Sequence, residues 1–234
     1  GPRKITLTKE GILFKRRAEE ILSLINITEE EIARDSQELE GTITIGGGEL
    51  KTVDYVCEKM AEFQKLYPKV FFNFNTTTSD IIKDQMDKGL LDIGILLEPI
   101  EIDRYDYFRL PVTENWCAII HPDSNLAKKD FIEPSDLLNE NIILPRRNNI
   151  KNELSSWFGK DITKLNIVAT HNLNSNTAVM VSKNVGTALT IETELINSFY
   201  GIKVLKLKPE LTARTVVAWK KNIPLNSATT RFIE

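Results

Sequence analysis

The sequence predicts an α/β fold in which one long helix precedes two successive sets of alternating strands and helices. Three observations carry this expectation. The first forty residues are dense in Lys, Arg and Glu, and after the opening Gly1-Pro2 pair only Gly11 interrupts them, which is helix composition. From Thr42 onward, short apolar stretches alternate with helix-length segments, the pattern of a mostly parallel sheet with helices on its faces. Within that region Leu91 to Leu97 is a near-continuous apolar run, as expected of a strand buried on both sides.

The opening helix, residues 1–40, has Thr8 as its candidate N-cap and Gly41 as its candidate stop. Phe14, Ala18, Ile21, Ile25, Thr28, Ile32, Asp35 and Leu39 follow steps of four and three, the a/d rhythm of a helix that pairs with a partner. An amphipathic helix lying on its own domain is the competing reading, but so long a stripe exceeds what one small lobe covers. The polar Thr28 and Asp35 weaken the far half of the seam. Arg3, Lys4, Lys9, Lys15, Arg16 and Arg17 crowd the first half of the helix, either as an ordinary solvated face or as phosphate contacts.

In the first set, Thr42 to Gly46 alternates as a strand, Val53 to Leu66 is helical and is closed by Tyr67-Pro68, and Val70 to Phe74 is a strand. Ser79 to Lys88 is a helix capped by Gly89, followed by the strand Leu91 to Leu97. The second set reads as strands at Trp116 to Ile120, Asn141 to Leu144, Asn166 to Thr170 and Thr187 to Ile191, with helices at Asn152 to Phe158 and Thr177 to Lys183. Val204 to Leu207 and Thr215 to Trp219 are again strand-like, and a short helix starts at Ser227. Two lobes follow, residues 41–112 with 202–234 and residues 113–201, joined near Pro111 to Thr113 and near Tyr200 to Ile202.

Bulk properties narrow the function classes. Thirty Lys and Arg against 33 Asp and Glu give a formal charge of -3, without the basic excess of a surface that grips phosphates, so this chain by itself is expected to bind DNA poorly. Cys57 and Cys117 lack a CxxC spacing and are expected to be buried, reduced thiols. No apolar run approaches the roughly 18 residues of a membrane span and no signal segment opens the chain, which makes a cytoplasmic location the default. Gly1-Pro2 has the look of a cleavage remnant, so an N-terminal part is expected upstream. His121 and His171 stand apart from any metal-ligand spacing and are expected to be hydrogen-bonded structural residues. With no nucleophile elbow or P-loop either, the expectation is a binding protein with no catalytic residues, metal or cofactor.

A cleft between the lobes is the natural ligand site, because open α/β sheets bind at the carboxyl ends of their strands. Four segments are candidates. Gly47, Gly48, Glu49 and Leu50 form a loop before a helix, where absent side chains allow close approach. Thr76, Thr77 and Thr78 sit on a strand-to-helix loop, able to bind a ligand or to cap the helix. Pro145, Arg146 and Arg147 follow a strand, and the arginines either clamp an acidic group or form a solvated pair. Asn172, Asn174, Asn176 and Thr177 make an amide-rich loop. Glu49 favours a cationic or amine-bearing ligand if it faces the entrance, whereas the arginines favour an acid.

Particular segments resemble the LysR-type bacterial transcription regulators. "ITLTKEGILFKRRAEEILSL" at Ile5 to Leu24 is similar to their junction of winged headpiece and linker helix, and "GTITIGGGEL" at Gly41 to Leu50 to the opening of their effector domain. Glu62 to Leu96, ending in "GLLDIGIL", resembles the family's helix, Tyr-Pro, strand, Ser/Thr loop, helix and strand. "HPDSNLAKKD", "EPSDLLNENIIL" and "NTAVMVSKNVGTALT" are similar to parts of its second lobe. The resemblance implies a two-lobed, type II periplasmic-binding-protein-like effector domain behind a dimerisation helix. It further implies a small-molecule effector held by the four segments above, homodimers through Phe14, Ala18, Ile21, Ile25, Thr28 and Ile32, and tetramers of the intact protein. DNA would be read only by a winged helix-turn-helix upstream of this chain. Two positions depart from the family's pattern: Gly46-Gly47-Gly48-Glu49 stands where Ser or Thr hydroxyls are common, and Asn184 replaces a Gly, Asn being best able to share its left-handed backbone. A solute-binding protein of a transport system shares the two-lobed cleft but predicts a secretion signal and no heptad helix.

Overall fold

The computed structural model describes residues 8–32, 39–101, 103–146, 148–159, 162 and 165–234. Helix α1 (Lys9–Ile32) begins where the Thr8 hydroxyl accepts the Gly11 N–H at 3.1 Å, the cap read from the sequence. Phe14, Ile21, Ile25 and Thr28 are exposed along it and Ala18 is half-buried. Glu20 and Leu24 turn toward the rest of the molecule: Glu20 lies 3.5 Å from Lys88 Nζ, and Leu24 lies beside Gly89. The Ile32 side chain and Asp35 lie outside what is described. Leu39 is not part of an exposed seam, because it packs against the core around Phe63, and Gly41 opens the first strand and does not end the helix.

The body runs β1 (Gly41–Gly47), α2 (Thr52–Leu66), β2 (Val70–Thr76), α3 (Ser79–Asp87), β3 (Ile93–Leu97), β4 (Tyr105–Ile120), β5 (Phe131–Ile132), β6 (Ile142–Pro145), α4 (Asn148–Phe158) and β7 (Ile167–His171). It continues α5 (Asn174–Ser182), β8 (Thr187–Ile191), α6 (Glu194–Asn197), β9 (Lys203–Leu207), β10 (Thr212–Lys220) and α7 (Ser227–Ile233). The strand order is β2-β1-β3-β10-β4-β8-β6-β7, with β9 also on β4 and β5 on β9. β1 pairs in parallel with β2 and β3, and β6 with β7 and β8, so each set is a parallel sheet as the alternation of strand and helix requires. Antiparallel β4 and β10 join them.

Strand β4 changes partners along its length: Tyr105 to Asn115 lies against β10, and Trp116 to Ile120 lies between β8 and β9. Only its second part reads as a strand in the sequence, since Pro111 and interspersed charges mask the first. Pro111 is accommodated at an irregularity, where the ladder steps from Thr113 opposite Arg214 to Arg109 opposite Val216, so its missing N–H breaks no pair. The return crossing also shifts. β9 pairs with the second part of β4 and with β5, and Leu205 and Leu207 belong to the core around Trp157, so the chain goes back between Leu207 and Thr212 and not near Ile202.

Each set buries its own apolar residues. Ile43, Ile45, Val70 and Ile93 form one core, closed by edge-on contacts among Phe63, Phe72 and Phe232 at 5.1 to 6.1 Å. Ile142, Leu144, Leu154, Trp157 and Leu189 anchor another. Asn184 adopts φ 58° at the end of α5, the left-handed conformation expected of it. Cys117 is buried in β4, and burial pushes its thiol pKa far up, which keeps it protonated and inert. Cys57 is exposed on α2, contrary to expectation, because its position points away from the apolar stripe of Val56 and Phe63.

Candidate functional site

A cavity of about 600 Å³ opens between the two sets of strands, within the range of roughly 300–1,000 Å³ usual for small-molecule pockets. Gly48, Glu49 and Leu50 border it from the loop after β1, Thr77 and Thr78 from the loop after β2, Pro145 and Arg146 from the end of β6, Asn172 from the loop after β7 and Asn174 from the start of α5. The four predicted segments therefore converge, each at the carboxyl end of a parallel strand.

Not every predicted residue reaches the cavity. Thr76 is the exposed last residue of β2, Asn176 points to solvent, and the buried Thr177 hydroxyl donates to Leu173 C=O at 2.8 Å within its own helix. Arg147 lies outside the described residues. Gly47 is also not part of the lining. A Cβ there would come within 2.9 Å of the Phe74 ring, and one at Gly46 within 2.5 Å of Leu91, so close packing accounts for the first part of the glycine run. Thr78 occupies the N-cap position of α3 without a side-chain cap bond, so the capping role foreseen for one of the threonines is not filled, and the Thr77 and Thr78 hydroxyls have no partner among the described residues.

Of the charged groups that line the cavity, Asp80, Arg146 and Glu49, the last two are used differently. Arg146 is exposed; its backbone N–H donates to His171 C=O at 2.9 Å, while its guanidinium has no carboxylate partner among the described residues. Glu49 is instead engaged. Its Oε2 accepts the Asn174 N–H and, at 3.1 Å, the Ser175 N–H, so the carboxylate caps α5 from the opposite side of the cavity. Asn174 is spent internally as well: its amide donates to Ile191 C=O at 3.2 Å and its Oδ1 accepts the Thr190 hydroxyl.

Sequence reasoning missed two lining residues with unpartnered polar atoms, Trp116 and His171. Both are buried, Trp116 opening an expected strand and His171 directly following one, and their turn toward a cavity depends on how the sheets cross. Trp116 also borders a second, smaller hollow. The His171 Nε2 lies 3.1 Å from Leu189 C=O, so the ring is bonded as expected at one nitrogen, yet Nδ1 has no partner. Burial holds its pKa below the usual histidine value, which keeps the imidazole neutral. His121 accepts the Asp123 N–H at 3.2 Å and plays the local structural part expected. Among the described residues, no group of three or more His, Cys, Asp or Glu side chains is placed to hold a metal ion, and no helix is long and apolar enough to cross a membrane.

The profile of the LysR substrate binding domain matches residues 36–234. The chain belongs to this family. The HTH-type transcriptional regulator YtlI of Bacillus subtilis is 23% identical over 88% of this chain and 67% of its own length, so the chain spans about two thirds of that regulator. Among solved structures, CbnR, a LysR family transcriptional regulator, superposes with a TM-score of 0.75 at 12% identity over 99% of this chain and 81% of that one. The effector binding domain of QuiR, solved in complex with shikimate, superposes with a TM-score of 0.72 at 20% identity over 83% and 94%. The LysR substrate-binding fold thus accounts for the two sets of strands, and the relatives are regulators of transcription, which removes the transport alternative.

Proposed function

We propose that this LysR-family domain senses a small polar metabolite in the cavity between two lobes, and that α1 joins two copies so that the signal reaches DNA-reading headpieces in the full-length cytoplasmic protein. In this reading the lobes are residues 41–115 with 212–234 and residues 116–207, a division supported by the change of partners along β4 and by the pairing of β9 with its second part and of β10 with its first. The observation that carries the reading is the convergence of uncommitted donors, the Arg146 guanidinium and the Thr77 and Thr78 hydroxyls, on one cavity built from both lobes. Such groups orient a ligand's polar atoms without leaving a buried charge unpaired.

The effector acts by differential affinity, shifting the arrangement of protomers only by as much as it prefers one lobe geometry. Symmetric dimers match symmetric operators, and a second contact between effector domains would give tetramers of the intact protein. No substrate is turned over in this scheme.

Thermal-shift screening of amino acids, small organic acids and sulfur or nitrogen metabolites tests the sensor, because a ligand that binds only the folded state raises the melting temperature. A hit should be lost in Arg146→Ala and in Thr77→Val, and one indifferent to both places binding elsewhere. Sedimentation tests the helix. The chain should run as a dimer and Ile21→Asp with Ile25→Asp as a monomer, since both side chains are exposed on the seam, at 57% and 46%. A monomer at high concentration before any substitution would remove the paired-helix part of the reading.

A further inference from the structure

The start of a helix ordinarily offers free N–H groups and a partial positive charge to an anion. At α5 that place is filled by the chain itself. Glu49, 125 residues earlier in sequence, delivers Oε2 to the Asn174 and Ser175 N–H groups, and the Asn174 side-chain amide adds a bond to Glu49 C=O at 3.4 Å. An acid group on a ligand would have to displace a tethered carboxylate there, and before doing so would lie against like charge. The Glu49 Oε1 has no partner among the described residues, so the side chain still offers the cavity an acceptor.

His171 lines the same cavity and is 7% exposed. A carbonyl oxygen only accepts, so the contact with Leu189 C=O requires the proton on Nε2. Nδ1 is then the bare nitrogen, a buried acceptor with no donor. Native interiors seldom leave such an atom unsatisfied. The Glu49 carboxylate is close enough to act on the imidazole electrostatically, and burial opposes a second proton on the ring. Two acceptor-bearing residues therefore line the cavity beside the start of α5, and Arg146, the free cation of the lining among the described residues, follows β6 with its backbone N–H on His171 C=O.

We propose that the effector presents a hydrogen-bond donor, an ammonium or a hydroxyl, to His171 Nδ1 and Glu49, and that the α5 N-terminus, occupied by Glu49, does not receive its acid group. The assignment rests on the cleft being the effector site and adds the chemical class of the ligand: a compound with a hydrogen-bond donor, any acid being directed to the Arg146 guanidinium.

Nitrogen-15 NMR of the full chain tests this with three small probes, ethylammonium chloride, ethylene glycol and sodium acetate, against matched sodium chloride. In the unliganded protein His171 Nδ1 should resonate as an unprotonated nitrogen. At least one donor probe should shift it toward the hydrogen-bonded position, ethylammonium alone identifying an ammonium and ethylene glycol a hydroxyl. Acetate should leave the Asn174 and Ser175 amides unmoved, whereas in Glu49→Ala it should move both, with affinity tighter by about tenfold, the equivalent of one charge placed at a helix start. The proposal is overturned by a protonated Nδ1, by indifference to both donor probes, or by acetate acting equally on the unsubstituted chain. A screening hit that needs Arg146 and Thr77 but leaves His171 unmoved would keep the cleft as the effector site and remove only this assignment.

Discussion

Helices α2 and α5 begin alike and differ in what their beginnings do. Neither has a capping side chain of its own at the N-cap, Lys51 in one case and Leu173 in the other, and each borrows a distant carboxylate. At α2 the lender is Glu114 of β4, fully buried, whose two oxygens accept the Lys51 and Thr52 N–H groups, both at 2.9 Å, and the Thr52 hydroxyl. Since that hydroxyl gives its proton to Glu114, the Thr215 hydroxyl must donate to Thr52, which completes a closed network inside one lobe. At α5 the lender is half-buried Glu49, reaching across the cavity from the other lobe with one oxygen only. The same electrostatics thus serves a closed network where water is excluded and a single-oxygen tie where the cavity opens.

The largest effect expected is on the buried cap. Glu114→Ala strands two N–H groups, and its cost should be about 3 kcal/mol, read from the shift of the urea unfolding midpoint. An equal and small cost at both carboxylates would break the comparison outright. Thr52→Val, which removes the hydroxyl between Glu114 and Thr215, should cost about 1 to 2 kcal/mol. Glu49→Ala should cost about 1 kcal/mol, the value of an ordinary helix cap, and should speed hydrogen exchange in the first turn of α5 while leaving α2 unchanged. Faster exchange in both helices would mean that the two caps are one cooperative unit.

Sequence periodicity foretold most of the body because its strands are short, apolar and bounded by turns, as at Thr187–Ile191, where the expected and observed bounds coincide. It failed where pairing, and not composition, makes the strand: Tyr105 to Asn115 is extended because β10 lies against it. The candidate site was legible to the same depth. Strand-to-helix loops brought Gly48, Thr77, Arg146 and Asn172 to one cavity as topology demands, but the direction of a strand side chain such as His171 follows from sheet geometry that no local pattern encodes. The bond from Glu49 to α5 joins residues too far apart in sequence for spacing to reveal. Read alone, Glu49 is a charge that makes the entrance negative if it faces it; with its partners in view it is a cap.

The finest test concerns the second acceptor on the α5 wall. His171 is held neutral in the folded protein, its pKa lowered by burial, whereas in the unfolded chain it titrates near 6.5. Above about pH 6.5 neither state carries the proton and His171 adds nothing to the pH dependence. As pH falls through that value the unfolded chain takes up a proton first, so stability declines until the lower folded pKa is passed. Carboxylates contribute their own slope at more acid pH, so the informative quantity is the difference between the unsubstituted chain and His171→Gln, followed by denaturant titration from about pH 8 to about pH 5. The variant should lose part of the acid decline, a change of slope smaller than the effect at Glu49. Parallel curves would mean that the imidazole titrates alike in both states, and below about pH 6.5 the wall would then present an imidazolium in place of a bare nitrogen.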